Sequence, residues 1–182
     1  MDASRYQACD TLPGGMPVEV RALQHGDREQ MKQALLRMSR DSIVRRFFAP
    51  RASFTEQEVA RFLDVDFVGH VALVALSEGQ IVGGARYVVL SPGQAELACA
   101  VEDAWQGRGL GKVLLRHLGA IARGAGIREA LADVLPENVA MLKLLRGSGL
   151  PVTSAWEGGA THLVVSLAGG DAAGPSPARP AP

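Results

Sequence analysis

Cysteine is scarce. The chain has only Cys9 and Cys99 in 182 residues, which rules out a disulfide framework and fits a reducing, cytoplasmic setting. Cys99 lies within an apolar run and reads as a small buried hydrophobe. Net charge is missing too: 19 Lys and Arg offset 19 Asp and Glu, so no global field argues for nucleic acid or an acidic membrane as partner. No apolar run is long enough to span a bilayer, and MDASRYQACDTLPGG has no signal-peptide core, so a soluble protein is expected. The four histidines, His25, His70, His117 and His162, show no ligand spacing, and no metal site is expected. Ser148, in Arg-Gly-Ser-Gly, lacks the nucleophile elbow and stands where a helix should stop. Trp105 and Trp156 read as packing residues. What is present in quantity is apolar surface, 47% of the residues, enough for one sizeable core.

The informative stretch is QAELACAVEDAWQGRGLGKVLLR, from Gln94 to Arg116. Ala95 to Val101 is short, apolar and bounded by turn formers, the pattern of a buried strand. Gly107, Gly109 and Gly111 follow in a tight loop, and Leu110, Val113, Leu114, Leu118 and Ile121 then recur at helical spacing. A glycine loop opening a helix after a strand makes an anion site. The first helical N–H groups lack intrahelical partners, the macrodipole favours negative charge there, and glycine admits a phosphate closely. It is not a P-loop, because Gln106 stands at the first glycine position and Val113 follows Lys112. The dinucleotide fingerprint fails as well, since Lys112 occupies its last glycine position.

Gln106-Gly107-Arg108-Gly109-Leu110-Gly111 resembles the [QR]-x-x-G-x-[GA] pattern of the GNAT acetyltransferases. Downstream, Pro136-Glu137-Asn138-Val139-Ala140-Met141-Leu142 is similar to that family's second cofactor segment, an Asn opening a helix after a strand. The resemblance covers most of Pro17 to Leu167. It implies an α/β GNAT fold: a mixed, mostly antiparallel sheet of about seven strands with flanking helices, whose fourth and fifth strands splay apart to hold acyl-CoA. It further implies that Cys99, Ala100 and Val101 offer backbone groups to the pantetheine arm, that Gly107 to Lys112 wrap the pyrophosphate with charge from Arg108 and Lys112, and that Asn138 touches the cofactor.

In chain order, residues 1–15 read as a flexible leader, 16–168 as the acetyltransferase domain and 169–182 as a disordered, low-complexity tail. Strands are expected over Val18–Leu23, Gly69–Leu76, Gln80–Leu90, Ala95–Val101, Glu129–Leu135, Val152–Glu157 and Ala160–Leu167. Turns at Ser77-Glu78-Gly79 and Gly158-Gly159 join hairpins, and Gly83-Gly84 marks a bulge or a close backbone approach. Asp27 is positioned to cap a helix carrying Met31, Ala34, Leu35 and Met38, and Thr55 with Glu58 forms a capping box for Val59, Phe62 and Leu63. Pro136 is expected to open the last helix.

Acyl transfer to an amine needs a neutral nucleophile, donors for the developing oxyanion and a base for the proton. Glu96, a carboxylate inside an apolar strand, is the leading base, because burial there would raise its pKa; Asp133 on the fifth strand is the rival. The Ala-Glu-Leu-Ala-x-x-Val run and the upstream Arg-Arg-Phe-Phe resemble the Pat-type bacterial lysine acetyltransferases, which acetylate a lysine of acyl-CoA synthetases, and in that branch this glutamate is the base. The basic segment Arg37, Arg40, Arg45, Arg46 and Arg51 is then a docking face near the acceptor. Leu145 stands where many relatives carry a tyrosine acid, and neither Tyr6 nor Tyr87 matches that position. The implied donor is acetyl-CoA and the implied partner a protein substrate. Acetylation of a small amine, or a non-catalytic acyl-CoA-binding module, are the alternatives.

Overall fold

The computed structural model describes residues 2–51 and 53–168. The strands are β1 (Gln7–Leu12), β2 (Met16–Ala22), β3 (His70–Ser77), β4 (Gln80–Ser91), β5 (Gln94–Val101), β6 (Glu129–Val134), β7 (Val152–Glu157) and β8 (Ala160–Ser166). They form one sheet in the order β1-β2-β3-β4-β5-β6-β8-β7. Five helices accompany them: α1 (Arg28–Arg37), α2 (Arg40–Phe47), α3 (Glu56–Leu63), α4 (Leu110–Gly124) and α5 (Val139–Arg146). This is the mixed α/β sheet with flanking helices that the sequence predicts, with eight strands rather than about seven.

The additional strand comes from the segment read as a leader. Gln7–Leu12 pairs antiparallel with Met16–Ala22, and Ala3, Ala8 and Leu12 are buried. A polar composition hides this hairpin, because its apolar residues face one way only. The hairpin is also tied to α4. Tyr6 Oη lies 2.5 Å from His117 Nδ1, and His117 Nε2 lies 2.9 Å from Asp10 Oδ2, which also meets Arg116. Because the carboxylate only accepts, Nε2 carries the imidazole proton and Nδ1 accepts from the tyrosine. The 169–182 tail lies outside the described residues.

Alternation divides the sheet residues between two cores. From β3, Val71, Leu73 and Ala75 join the α4 side, whereas Ala72, Val74 and Leu76 join the α3 side. Leu114, Leu118 and Ile121 of α4 fill the first, and Val59 and Leu63 of α3 the second. The Thr55–Glu58 capping box forms as expected. Asp27 does not cap α1 with its side chain. It is buried and held by both Arg21 guanidinium nitrogens (2.7 and 2.8 Å) and by the Gln24 N–H, an ion pair across the start of the helix. Pro136 sits in the turn before α5, whose N-cap is Asn138, accepting from the Met141 N–H at 3.1 Å.

One pairing is parallel, and it is short. β5 and β6 share only Gln94↔Glu129, Ala95↔Ala130 and Glu96↔Leu131. Beyond Glu96, residues Leu97 to Val101 leave β6, which continues along β8 alone. Among the described residues, no helix is long and apolar enough to cross a membrane.

Two outcomes follow from the N-terminal hairpin. Leu12→Ala should cost about 2–5 kcal/mol in urea unfolding, the range for a deleted core side chain; a loose leader would show no change. Burial holds His117 below its ordinary 6.5, against the opposing hydrogen bond to Asp10. The unfolded chain therefore takes up a proton that the folded one resists as pH falls through 6.5, so the urea midpoint should drop from pH 7.5 to 5.5. The drop should be smaller in His117→Gln.

Candidate active site

The β5–β6 fork opens a cleft. Its lining gathers Cys99, Ala100 and Val101 from β5, Gln106, Gly107, Gly109, Leu110, Gly111 and Lys112 from the glycine loop, and Asn138 from the start of α5. Counting Gln106, the first residue of the motif, ten of the eleven residues expected at the cofactor thus meet at one site. Arg108 is the exception: it is exposed and stacks over the Trp105 ring at 5.4 Å. Trp105, expected only to pack, lines the cleft.

Local chemistry explains why the loop suits an anion. Gly109 is the N-cap of α4 with φ +89°, a conformation that disfavours other residues, and a side chain there would also meet Pro13 at 3.1 Å. Having no side chain, it caps nothing, so the first N–H groups of α4 are left for a ligand beside Lys112. At Gly111 a Cβ would lie 3.0 Å from Leu144, so glycine lets α4 and α5 close around the cleft. Gln106 braces the loop, donating to Ser42 Oγ and to the Val101 carbonyl, both at 3.0 Å. Asp103 completes the brace by accepting from the Ser39 N–H and from the hydroxyls of Ser39 and Ser42. These bonds bring α2, 61 to 64 residues away in sequence, against the loop. Nothing in the sequence pairs those segments; Ser39 is visible there only as an N-cap.

At the acceptor end a second pocket is lined by Glu96, Leu97, Ala98 and Cys99, by Asp133, and by Arg45, Arg46, Phe47 and Phe48 of α2. Both carboxylates considered as the base therefore share it. The burial expected of Glu96 is not there: its side chain is exposed, because it is the last residue of the parallel pairing and stands at the open fork. Asp133 is also exposed and is engaged, 2.6 Å from His162 Nδ1, its cross-strand neighbour on β8. That hydrogen bond raises the His162 pKa. Burial pushes the Cys99 thiol up to about 12, against a smaller opposing pull from Arg46, which favours its protonated form near neutral pH. Leu145 and Tyr87 are both buried in the main core, and Tyr6 is taken by His117. No tyrosine reaches the cleft.

The basic segment divides on folding. Arg37 pairs with Glu102 and Arg51 with Glu58, Arg40 is exposed, and Arg45 and Arg46 line the cleft and the acceptor pocket.

The acetyltransferase (GNAT) family profile matches residues 38–150, which span the basic segment from Arg40 onward, both strands of the fork, and α4 and α5. The chain belongs to the GNAT acetyltransferase family. It is 33% identical over 140 residues to acetyltransferase PA5475 of Pseudomonas aeruginosa, covering 74% of this chain and 75% of that protein. The GNAT domain of S. lividans Pat superimposes with a TM-score of 0.83 at 34% identity, covering 88% of this chain and 96% of that domain. Acetyltransferase Pat of Mycolicibacterium smegmatis is 31% identical over 124 residues, 66% of this chain but only 37% of that longer protein. By family this GNAT chain is an acyltransferase, with the Pat-like neighbours expected from its sequence.

If Lys112 faces a bound phosphate, Lys112→Glu should weaken acetyl-CoA binding by about tenfold or more, the scale of a lost charge-assisted hydrogen bond. Quenching of Trp105, which lines the same cleft, provides the readout.

Proposed function

We propose that this protein transfers the acetyl group of acetyl-CoA to a lysine of a protein substrate such as an acyl-CoA synthetase, with Glu96 as the general base. The observation that carries the assignment is the place of Glu96, the last paired residue before the strands part, in one pocket with Cys99. Among the described residues it has no cation within 4.0 Å, whereas Asp133 is committed to His162. An uncommitted carboxylate is the better proton acceptor.

The glycine loop and Lys112 hold the donor's phosphates, and the unpaired backbone of β5 past Glu96 receives its pantetheine arm. Asn138 caps α5 with its side chain, so its contribution is to fix that helix against the donor. Glu96 takes a proton from the lysine ammonium, directly or through water. The freed amine attacks the thioester carbonyl, the C–N bond forms, and the C–S bond breaks. CoA leaves as a thiolate, acidic enough to depart without a tyrosine acid, and takes up the second proton, which the attacking nitrogen sheds as it becomes an amide. The protonated Cys99 thiol supports direct transfer without an acyl-enzyme. An open acceptor mouth with Arg45, Phe47 and the exposed Phe48 at its rim supports a macromolecular acceptor over a small enclosed one.

CoA release from acetyl-CoA should appear with a cognate synthetase and coincide with one acetylated lysine in its mass spectrum. Release with small amines only would move the acceptor class, and binding without any release would favour an acyl-CoA-binding module. Glu96→Gln should bind acetyl-CoA yet lose about 10²–10⁴-fold in kcat, while Asp133→Asn should lose much less. The reverse order would hand the base to Asp133.

A further inference from the structure

The apolar stripe of α1 does not seal against the sheet. Its Met31, Ala34 and Leu35 face a cavity of about 80 Å³ whose opposite wall is built from glycine and alanine, notably Gly84, Ala98 and Ala100. Two charges stand in this apolar space that acetyl transfer does not use. Arg86 on β4 lies directly opposite Ala98, with its guanidinium 3.1 Å from the Phe62 carbonyl, 3.3 Å from His70 Nε2 and over the Phe62 ring. Arg46 of α2 lies over the Phe47 ring at 4.9 Å. Among the described residues neither guanidinium has a carboxylate oxygen within 4.0 Å.

Two like charges in a poorly hydrated space repel and lose hydration; Glu96, beyond ion-pair distance, offsets part of the cost at Arg46, and no carboxylate offsets it at Arg86. Burial drives both guanidinium groups below their ordinary value, Arg86 to about 10 with the charge of Arg46 contributing. Glu96 shares the sheet face with Arg86 but lines the acceptor pocket, not this cavity. His70, its pKa lowered by its own burial and by Arg86, adds no third positive charge beside them. An anion entering the cavity would relieve both arginines. The cavity adjoins the reaction site: among the described residues, Arg46 alone lines the cavity, the cofactor cleft and the acceptor pocket.

We propose that this cavity is a carboxylate subsite for the acyl donor, accepting CoA thioesters of short dicarboxylic acids, of the malonyl or succinyl class, whose distal carboxylate pairs with Arg46 and Arg86. The inference rests on the acyl-CoA reading of the cleft. Its small apolar walls suit a chain of a few carbons, and planar guanidinium groups match a carboxylate. A lysine within a protein brings no free carboxylate of its own, which favours the donor as the source. Transfer follows the same bond changes, C–N formed and C–S broken, and converts a cationic amine into an anionic amide.

Equilibrium binding of acetyl-CoA, butyryl-CoA and succinyl-CoA to the full chain tests this, because the last two match in chain length and differ in the carboxylate. Succinyl-CoA should bind at least about tenfold more tightly than butyryl-CoA. Arg46→Gln and Arg86→Gln should each bring that ratio towards one, and Arg46→Lys should keep part of it. Equal affinities in the wild type overturn the assignment, as does a ratio untouched in both glutamine variants; the wild-type ratio decides alone if a variant fails to fold. A preference for amino acids over their amides as acceptors, with the two thioesters equal, would place the carboxylate on the acceptor and overturn it too. Failure of acetyl-CoA itself to bind would instead remove the reading of the cleft on which the inference stands.

Discussion

Everything functional in this fold depends on β5 and β6 ceasing to pair after Glu96. Three parallel pairs hold the strands together, and then each follows its other neighbour, β4 or β8. A strand released on one side exposes unpaired N–H and C=O groups, which are costly unless water or a ligand meets them. The glycine loop and α4 leave the end of β5, so the freed backbone runs towards the open N-terminus of a helix. Peptide groups and helix start together form a continuous polar track, and the carboxylate at the fork marks where it ends.

The fork would be a surface notch without α2. The bonds from Asp103 and Gln106 to Ser39 and Ser42 dock this helix on the glycine loop and thereby place Arg45 and Arg46 over the cleft. Phe47 packs on Phe54 and Phe62 at 5.0 and 5.6 Å between ring centres, anchoring the other end of α2 to the α3 side. The helix that roofs the cleft contributes little to the core, with only Ser42 and Ile43 buried. No residue of α1 is fully buried, although Met31 and Ala34 pack on the second core, and a cavity remains beneath the helix. The tightly packed half of the molecule, α4 against the sheet, carries the glycine loop; the loosely packed half carries the acceptor-side pocket and the cavity under α1.

Legibility from sequence followed the range of each interaction. The glycine loop, α4, the Thr55–Glu58 capping box and the hairpin turns are local, set by residues a few positions apart, and they stand where the sequence puts them. The Asn138 cap is equally local, although Pro136 lies before α5 and not within it. Glu96 was legible by position but not by environment: an apolar neighbourhood in sequence implies burial only if the strand is covered on that face, and at the fork it is not. The N-terminal strand was missed because Ala8 and Leu12 are too few to signal a strand until β2 and α4 pack against them. The pairing of Asp133 with His162 depends on cross-strand register, which composition does not reveal.

The sequence by itself determined the family, the α/β architecture and the residues of the donor loop, because backbone conformation and helix initiation are decided by neighbouring side chains and by glycine's missing one. Tertiary structure alone decided where the sheet forks, which carboxylate stays uncommitted, and which two arginines of a scattered basic segment and a distant strand share a cavity. Those outcomes depend on register and on distances across the sheet, and a linear pattern contains neither.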